Sequence, residues 1–313
     1  MNFTTDNLIK PVRLDRFISG KLDFFTREKW KEEIRDNRLQ VNNCIVTNPH
    51  RKIIPGDTIT YLCRERSEPE IDAGFSIIFE DENIIAVNKT GNLPVHPSGI
   101  YFQNTLVTLM MEKYPNIYLI HRLDRETSGI ILAAKTPEAA TKYQKSLKDA
   151  QKTYTAIVFG NFPDKLTIDM PIGFAYDLNM IEDFTKKVKK KRAAFKNAPE
   201  CAETEFQKIA QLNNYSVVAA LPQTGRLHQI RVHLQYAGFP IVGDKLYGHD
   251  ETCYLEFLQN GLTEHILKKT IMPRCCLHAS SLEITDPFSG RRNFFEALLP
   301  SDMKEFIEEN RNG

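Results

Sequence analysis

Apolar positions along residues 12–62 follow first a helical and then an alternating period. Leu14, Phe17 and Ile18 share one helical face, with Arg13 and Arg16 on or beside the polar one. Thr26 has the character of an N-cap, and the helix it opens would carry Trp30 and Ile34 inward and basic Lys29, Arg35 and Arg38 outward. Residues 39–41 read as a short strand, Asn42-Asn43 as a hairpin turn, and Ile45-Val46 as the return strand. Ile53-Ile54-Pro55-Gly56-Asp57 then turns into a strand over 58–62. From Arg64 to Asp72 the period stops. That run, RERSEPEID, is charged and holds a proline, which predicts a linker.

The remainder is rich in strands. Residues 76–79 and 84–88 flank an Asp81-Glu82-Asn83 turn, and 130–134 form a short apolar run expected to be a buried strand. Thr136-Pro137-Glu138 opens a helix that should reach about Lys148. A strand follows over 153–159, and 203–212 with 215–221 form a hairpin across Asn213-Asn214. A helix is expected from about Leu227 to Ala237, where Gly238 and Pro240 stop it, with Leu227, Ile230 and Leu234 as its buried stripe. Residues 277–285 and 293–298 form a last hairpin. Hairpins with interspersed helices predict an α+β fold with a mixed, mainly antiparallel sheet. The expected layout is a tail over 1–11, a small domain over 12–63, a linker over 64–74 and a large domain over 75–313.

Length and charge narrow the function only slightly. A chain of 313 residues suits a large domain with a small one. A formal net charge of +1 makes no global case for nucleic acid, so any such case must rest on local patches. No apolar run has the length of a membrane span, and the first ten residues lack the core of a signal peptide. The six cysteines form no C-x-x-C pair and no zinc spacing, which fits free thiols in a reducing cytosol.

Chemistry concentrates in two segments. In His121-Arg122-Leu123-Asp124-Arg125-Glu126-Thr127-Ser128-Gly129 one aspartate stands between two arginines, just before an apolar strand. Guanidinium groups lower a neighbouring carboxyl pKa by about 1–3 units, which suits a nucleophile rather than a general acid. A salt-bridged surface turn would share this pattern. In residues 222–233, PQTGRLHQIRVH, Arg226 stands at a glycine turn where it could reach Asp124 as a bidentate partner. His228 and His233 are badly spaced for a metal and read as structural or RNA-contacting.

HRLDRETSG resembles the signature of the pseudouridine synthases, in particular the large-subunit ribosomal branch usually called the RluA family. Further matches follow in order: residues 152–160 (KTYTAIVFG), 202–206 (AETEF), 224–248 (TGRLHQIRVHLQYAGFPIVGDKLYG) and Leu277-His278-Ala279, with 88–99 before them. The resemblance spans roughly residues 75–300. Residues 12–62 resemble, more weakly, the S-four-like (αL) RNA-binding domain, whose basic face would be Arg13, Arg16, Arg27, Lys29, Lys31, Arg35 and Arg38. The family commonly has proline where Thr90 stands, and residues 249–275 fit it poorly, as an insertion would.

The resemblance implies the pseudouridine synthase fold with a central cleft, and isomerisation of uridine in RNA without cofactor or metal. It implies Asp124 as nucleophile, Arg226 as its partner, and Tyr154 near the uracil, helping to move a proton. Leu227, Ile230 and Leu277 would line the uracil pocket, or serve as core. Arg122 would fill the space left by the flipped base, with His121 beside it, or simply neighbour Asp124. In the basic run 185–192, Lys187, Lys190 and Arg192 would contact phosphate. The implied partner is ribosomal RNA, or transfer RNA, met by a cytoplasmic monomer away from any membrane. A base-releasing N-glycosylase and a non-catalytic RNA-binding or ribosome-assembly factor remain open alternatives.

Overall fold

The computed structural model describes residues 2–5, 8–21, 25–62, 68–98, 101–178, 188, 191–248 and 252–311. Cys63, linker residues 64–67, Gly99, Lys187 and Lys190 lie outside them, as does most of the basic run before Lys191. The chain divides into two compact units, residues 1–71 with 96–115, and residues 72–95 with 116–313.

The smaller unit contains β1 (Asn2–Thr4), β2 (Val12–Arg13), α1 (Leu14–Lys21), α2 (Arg27–Arg35), β3 (Leu39–Val41), β4 (Cys44–Val46), β5 (Lys52–Ile53), β6 (Thr58–Tyr61) and α3 (Leu106–Lys113). Thr26 caps α2 by accepting from the Lys29 amide at 3.3 Å. Asn42 and Asn43 both take positive φ, 53° and 64°, the conformation a two-residue hairpin turn requires. Residues 2–4, expected in a tail, pair antiparallel with β6, and the sheet order is β1-β6-β3-β4. Residues 96–115, expected in the large domain, cluster with this unit. Leu14, Ile18, Trp30, Ile34, Leu39, Ile59 and Tyr61 form its core.

The larger unit is built on a ten-stranded sheet. Its strands are β7 (Phe75–Glu80), β8 (Ile84–Lys89), β9 (Tyr118–Leu119), β10 (Ser128–Ala134), β11 (Gln151–Phe159), β12 (Lys165–Asp169), β15 (Glu203–Gln211), β16 (Tyr215–Pro222), β17 (Leu277–Thr285) and β18 (Arg292–Glu296), while β13 (Ile172–Phe174) and β14 (Arg192–Ala194) pair apart. The order is β12-β15-β16-β11-β17-β10-β8-β7, with β18 on β17 and β9 on β10. All neighbours are antiparallel except β10 and β17, which run parallel through Ser128 and Gly129. Only glycine fits at 129: φ is 111°, and a Cβ there would lie 2.3 Å from the Ala279 carbonyl oxygen.

Helices α4 (Pro137–Ser146), α5 (Gln229–Tyr236), α6 (Thr252–Asn260), α7 (Glu264–Thr270) and α8 (Ser301–Glu309) complete the unit. One core joins β11 and β16 to Ile230, Leu234, Met303 and Phe306, and a second joins β8 and β10 to Ala139 and Tyr143. Helix α5 begins two residues later than its apolar period suggests, because His228 takes a left-handed φ of 58°. The fold is thus the α+β, mainly antiparallel one the pattern predicts. No helix among the described residues is long and apolar enough to cross a membrane.

Candidate active site

The loop between β9 and β10 carries Asp124 and is anchored along the residues that follow it. The Thr127 amide donates to the Asp124 carbonyl at 3.1 Å. Buried Lys89 donates to the Arg125 carbonyl at 3.1 Å and to that of Thr90 at 2.8 Å. Burial, with Arg274 nearby, brings this ammonium down to about 7. Thr90 restores what the missing proline would have fixed: its hydroxyl donates to the Asp72 or Gly74 carbonyl, and its amide, which proline would lack, reaches Gly74. Glu126 reaches across to Lys245, whose Nζ lies 3.0 Å from each carboxylate oxygen.

Asp124 pairs with Arg231. Arg231 Nη1 donates to Asp124 Oδ2 at 2.7 Å, while Nε and Nη2 donate bidentately to Asp244 at 2.7 and 2.9 Å. Asp244 is fully buried and also accepts from the Leu246 and Tyr247 amides. Burial raises the Asp244 carboxyl, but Arg231 and the two amides outweigh it and hold it near about 2. Asp244 thereby fixes the guanidinium that faces Asp124. At Gly243 a Cβ would lie 1.7 Å from the Arg274 carbonyl oxygen, with φ at 81°, so only glycine can lead the chain into Asp244 here.

The Asp124 side chain keeps 22% of its surface exposed. Burial pushes its carboxyl up, while His228 when charged, the Arg231 charge and the Arg231 hydrogen bond pull it below the usual range. Burial also drops the His228 ring to about 4, so that ring is neutral at pH 7. Arg231 is then the cation hydrogen-bonded to the carboxylate, and it keeps that group ionised. His228 Nε2 lies 3.7 Å from Asp124 Oδ1, beyond hydrogen-bond reach.

Asp124 opens into a cleft also lined by Arg122, Tyr154, Ile230 and Leu277. Tyr154, on β11, is pushed up to about 12 by burial and by the Asp124 charge, so at neutral pH it is a hydroxyl donor. Arg122 stands exposed on the cleft, and among the described residues no hydrogen bond or ion pair holds it. Among the described residues no group of three or more His, Cys, Asp or Glu could hold a metal.

Four expectations change. Arg226 lines the same cleft but does not pair with Asp124: ahead of the left-handed turn at His228 it is exposed, and its Nε donates to the Cys201 carbonyl at 2.9 Å. Leu227 is 37% exposed and sits before the helix rather than on its buried face. His121 is bound inward, its Nε2 accepting from the Leu132 amide at 3.1 Å, and burial lowers it to about 4. Arg192 is buried, with Glu200 as ion-pair partner and the Phe174 ring 4.6 Å beneath its guanidinium, so it has no face for phosphate. In the small unit Arg13 and Arg27 both bind buried Asp15, Arg16 and Arg35 are exposed, and Arg38 is half-buried.

Sequence reasoning missed Arg231, Asp244, Tyr247 and Gln229. The signal for Arg231 was a cation set between Ile230 and Val232 inside the helix, where a buried charge requires a partner. Gln229 locks the turn before that helix: its Oε1 accepts from the Thr224 hydroxyl and the Arg226 amide, and its Nε2 donates to the Glu203 carbonyl and the Thr204 hydroxyl.

Comparison with known proteins gives a consistent result. The family profile described as RNA pseudouridylate synthase matches residues 83–236. The chain is 31% identical to the ribosomal large subunit pseudouridine synthase D of Vibrio parahaemolyticus, over 95% of this chain and 90% of that protein. It is 30% identical to an uncharacterized RNA pseudouridine synthase of Bacillus subtilis, over 99% of this chain and 98% of that protein. Among solved structures, human RNA pseudouridylate synthase domain containing 4 shares the fold with a TM-score of 0.57 at 23% identity, over 74% of this chain and 92% of that one. Human RNA pseudouridylate synthase domain containing 1 does so with a TM-score of 0.56 at 21% identity, over 78% and 97%.

Proposed function

Because the chain belongs to the RNA pseudouridine synthase family, we propose that Asp124 is the nucleophile of a uridine isomerisation carried out in the cleft beside Arg231. The enzyme is an isomerase acting on RNA: the C1′–N1 bond of a uridine breaks, a C1′–C5 bond forms, the C5 proton passes to solvent and N1 takes up a proton in its place. The observation that carries the Asp124 reading is a carboxylate kept ionised by Arg231 yet, among the described residues, hydrogen-bonded through only one oxygen. The target nucleotide must leave its stack to reach it, at a cost of about a few kcal/mol that is smallest in irregular RNA. Arg122, exposed and unheld, suits the place the base vacates. Tyr154 suits a hydrogen-bond donor beside the ring, with Ile230 and Leu277 as apolar walls.

The ribosomal naming of the Vibrio relative supports large-subunit ribosomal RNA as the target, with transfer RNA the second choice. The reading includes a cytoplasmic monomer that grips RNA partly through Arg16 and Arg35 of the small unit. The test is RNA from cells with and without the gene, mapped for pseudouridine, followed by purified enzyme on the mapped fragment carrying tritium at uracil C5. Tritium release at constant RNA mass, abolished in Asp124→Ala with RNA binding kept, is the expected result. Free uracil in the supernatant would instead identify an N-glycosylase, and binding without tritium release a non-catalytic factor.

A further inference from the structure

We infer that Tyr247 is a positioning residue for Asp124, one that sets the groups on both sides of the carboxylate while touching neither it nor RNA. The inference rests on the reading of Asp124 as nucleophile. Tyr247 is fully buried. Its ring lies under Arg231, whose Cζ is 4.9 Å from the ring centroid, so it supports the cation bound to Oδ2. Its hydroxyl lies 2.8 Å from His228 Nδ1 and accepts from the Arg192 amide at 2.9 Å.

That last contact decides the histidine tautomer. A phenol has one proton to give, and the Arg192 N–H already points at the oxygen. Among the described residues the acceptor that remains is His228 Nδ1. A neutral imidazole that accepts at Nδ1 carries its proton on Nε2. Nε2 faces Asp124 Oδ1 at 3.7 Å, and among the described residues nothing donates a hydrogen bond to that oxygen. Burial of His228 keeps the ring uncharged at neutral pH, in agreement.

The consequence is an unsymmetrical carboxylate. Oδ2 is held by a charge-assisted bond, while Oδ1 faces, from beyond hydrogen-bond reach, a neutral N–H that adds no full charge to quench it. Oδ1 is therefore the oxygen that attacks, and Tyr247 fixes the proton on the nitrogen it faces. The left-handed backbone at His228 aims the ring, and the Tyr247 hydroxyl selects its tautomer.

A double-mutant cycle on the full chain tests this, with single-turnover rates at saturating RNA as readout. Tyr247→Phe keeps the ring under Arg231 and removes the hydroxyl. Its rate is expected to fall roughly tenfold, with KM for RNA changed less than twofold. His228→Ala is expected to lose at least as much, and the double variant no more than His228→Ala alone. Losses that multiply, or an unimpaired Tyr247→Phe beside an inactive Asp124→Ala, would overturn the inference alone. Turnover by Asp124→Ala would overturn the nucleophile reading and this inference with it. Independently of rates and of how the variants fold, long-range 1H–15N spectra of the native protein should show the His228 ring protonated on Nε2. Protonation on Nδ1 would refute the assignment.

Discussion

Asp124 and Glu126 stand two positions apart on one loop, and each meets a cation brought from more than a hundred residues away. Around Glu126 every oxygen is taken: Lys245 reaches both, Arg125 adds a bond to Oε1 and the Cys275 amide one to Oε2. Around Asp124 a buried guanidinium binds one oxygen, and among the described residues nothing donates a hydrogen bond to the other. Exposure hardly separates them, at 17% and 22% of the side chain. Satisfaction of the acceptors does. A carboxylate whose lone pairs are all engaged is scaffold, and one held by a single edge is available for bond formation.

Isosteric neutralisation of the two groups should separate these roles most strongly. Asp124→Asn should lower turnover by at least about a thousandfold, as removal of other enzymic nucleophiles does, with little change in Tm. Glu126→Gln should do the reverse: a loss of about 2–4 kcal/mol in denaturant unfolding, from stranding buried Lys245, with turnover per folded molecule kept within several-fold. Equal kinetic losses in both would erase the distinction drawn here. Next in size, Arg231→Met leaves Asp244 buried without its cation, at a cost of about 3–5 kcal/mol read in the same urea titrations. An unchanged midpoint would mean that Asp244 finds another partner.

Acid should act through the histidines near this loop. Burial holds His121 and His228 at about 4 in the folded protein, while in an unfolded chain such rings titrate near about 6.5. Between those values the unfolded state binds more protons, so stability falls as pH drops from about 6.5 towards 4. Thermal scans should therefore show a lower Tm at pH 5 than at pH 7, and His121→Gln, which still accepts from Leu132, should flatten part of the slope. A Tm independent of pH in that window would contradict the neutral rings. The smallest effect is expected at Arg226: Arg226→Ala should slow the single-turnover step less than about fivefold, because its guanidinium faces Cys201 rather than the carboxylate. A loss approaching that of Asp124→Asn would restore Arg226 to the centre.

Much of this molecule is legible from pattern alone. The hairpins β7–β8, β15–β16 and β17–β18, the capped helices α2 and α4, and the Asn42-Asn43 turn all follow from local rules, since each depends on residues within a few positions. Helix α8 went unread, although Met303 and Phe306 repeat at helical spacing after Pro300. What else escaped depends on distant partners. Strand β1 exists because β6 offers it an edge, 54 residues away from Thr4 to Thr58. The arginine that holds Asp124 was misassigned by five positions. Helix α5 is buried nearly all round, so its period could not show which polar residue faces the loop, and the left-handed His228 moved its start. Helices α6 and α7 stand where the sequence offered only an insertion.

The glycine at 243 gives the site an unexpected vulnerability. Any side chain there would collide with the backbone at Arg274, displacing Asp244, then Arg231, and finally the charge that Asp124 depends on. A genetic screen for silent alleles should therefore return lesions at this hidden hinge of the wall, several side chains removed from anything a nucleotide touches, alongside those in the loop itself.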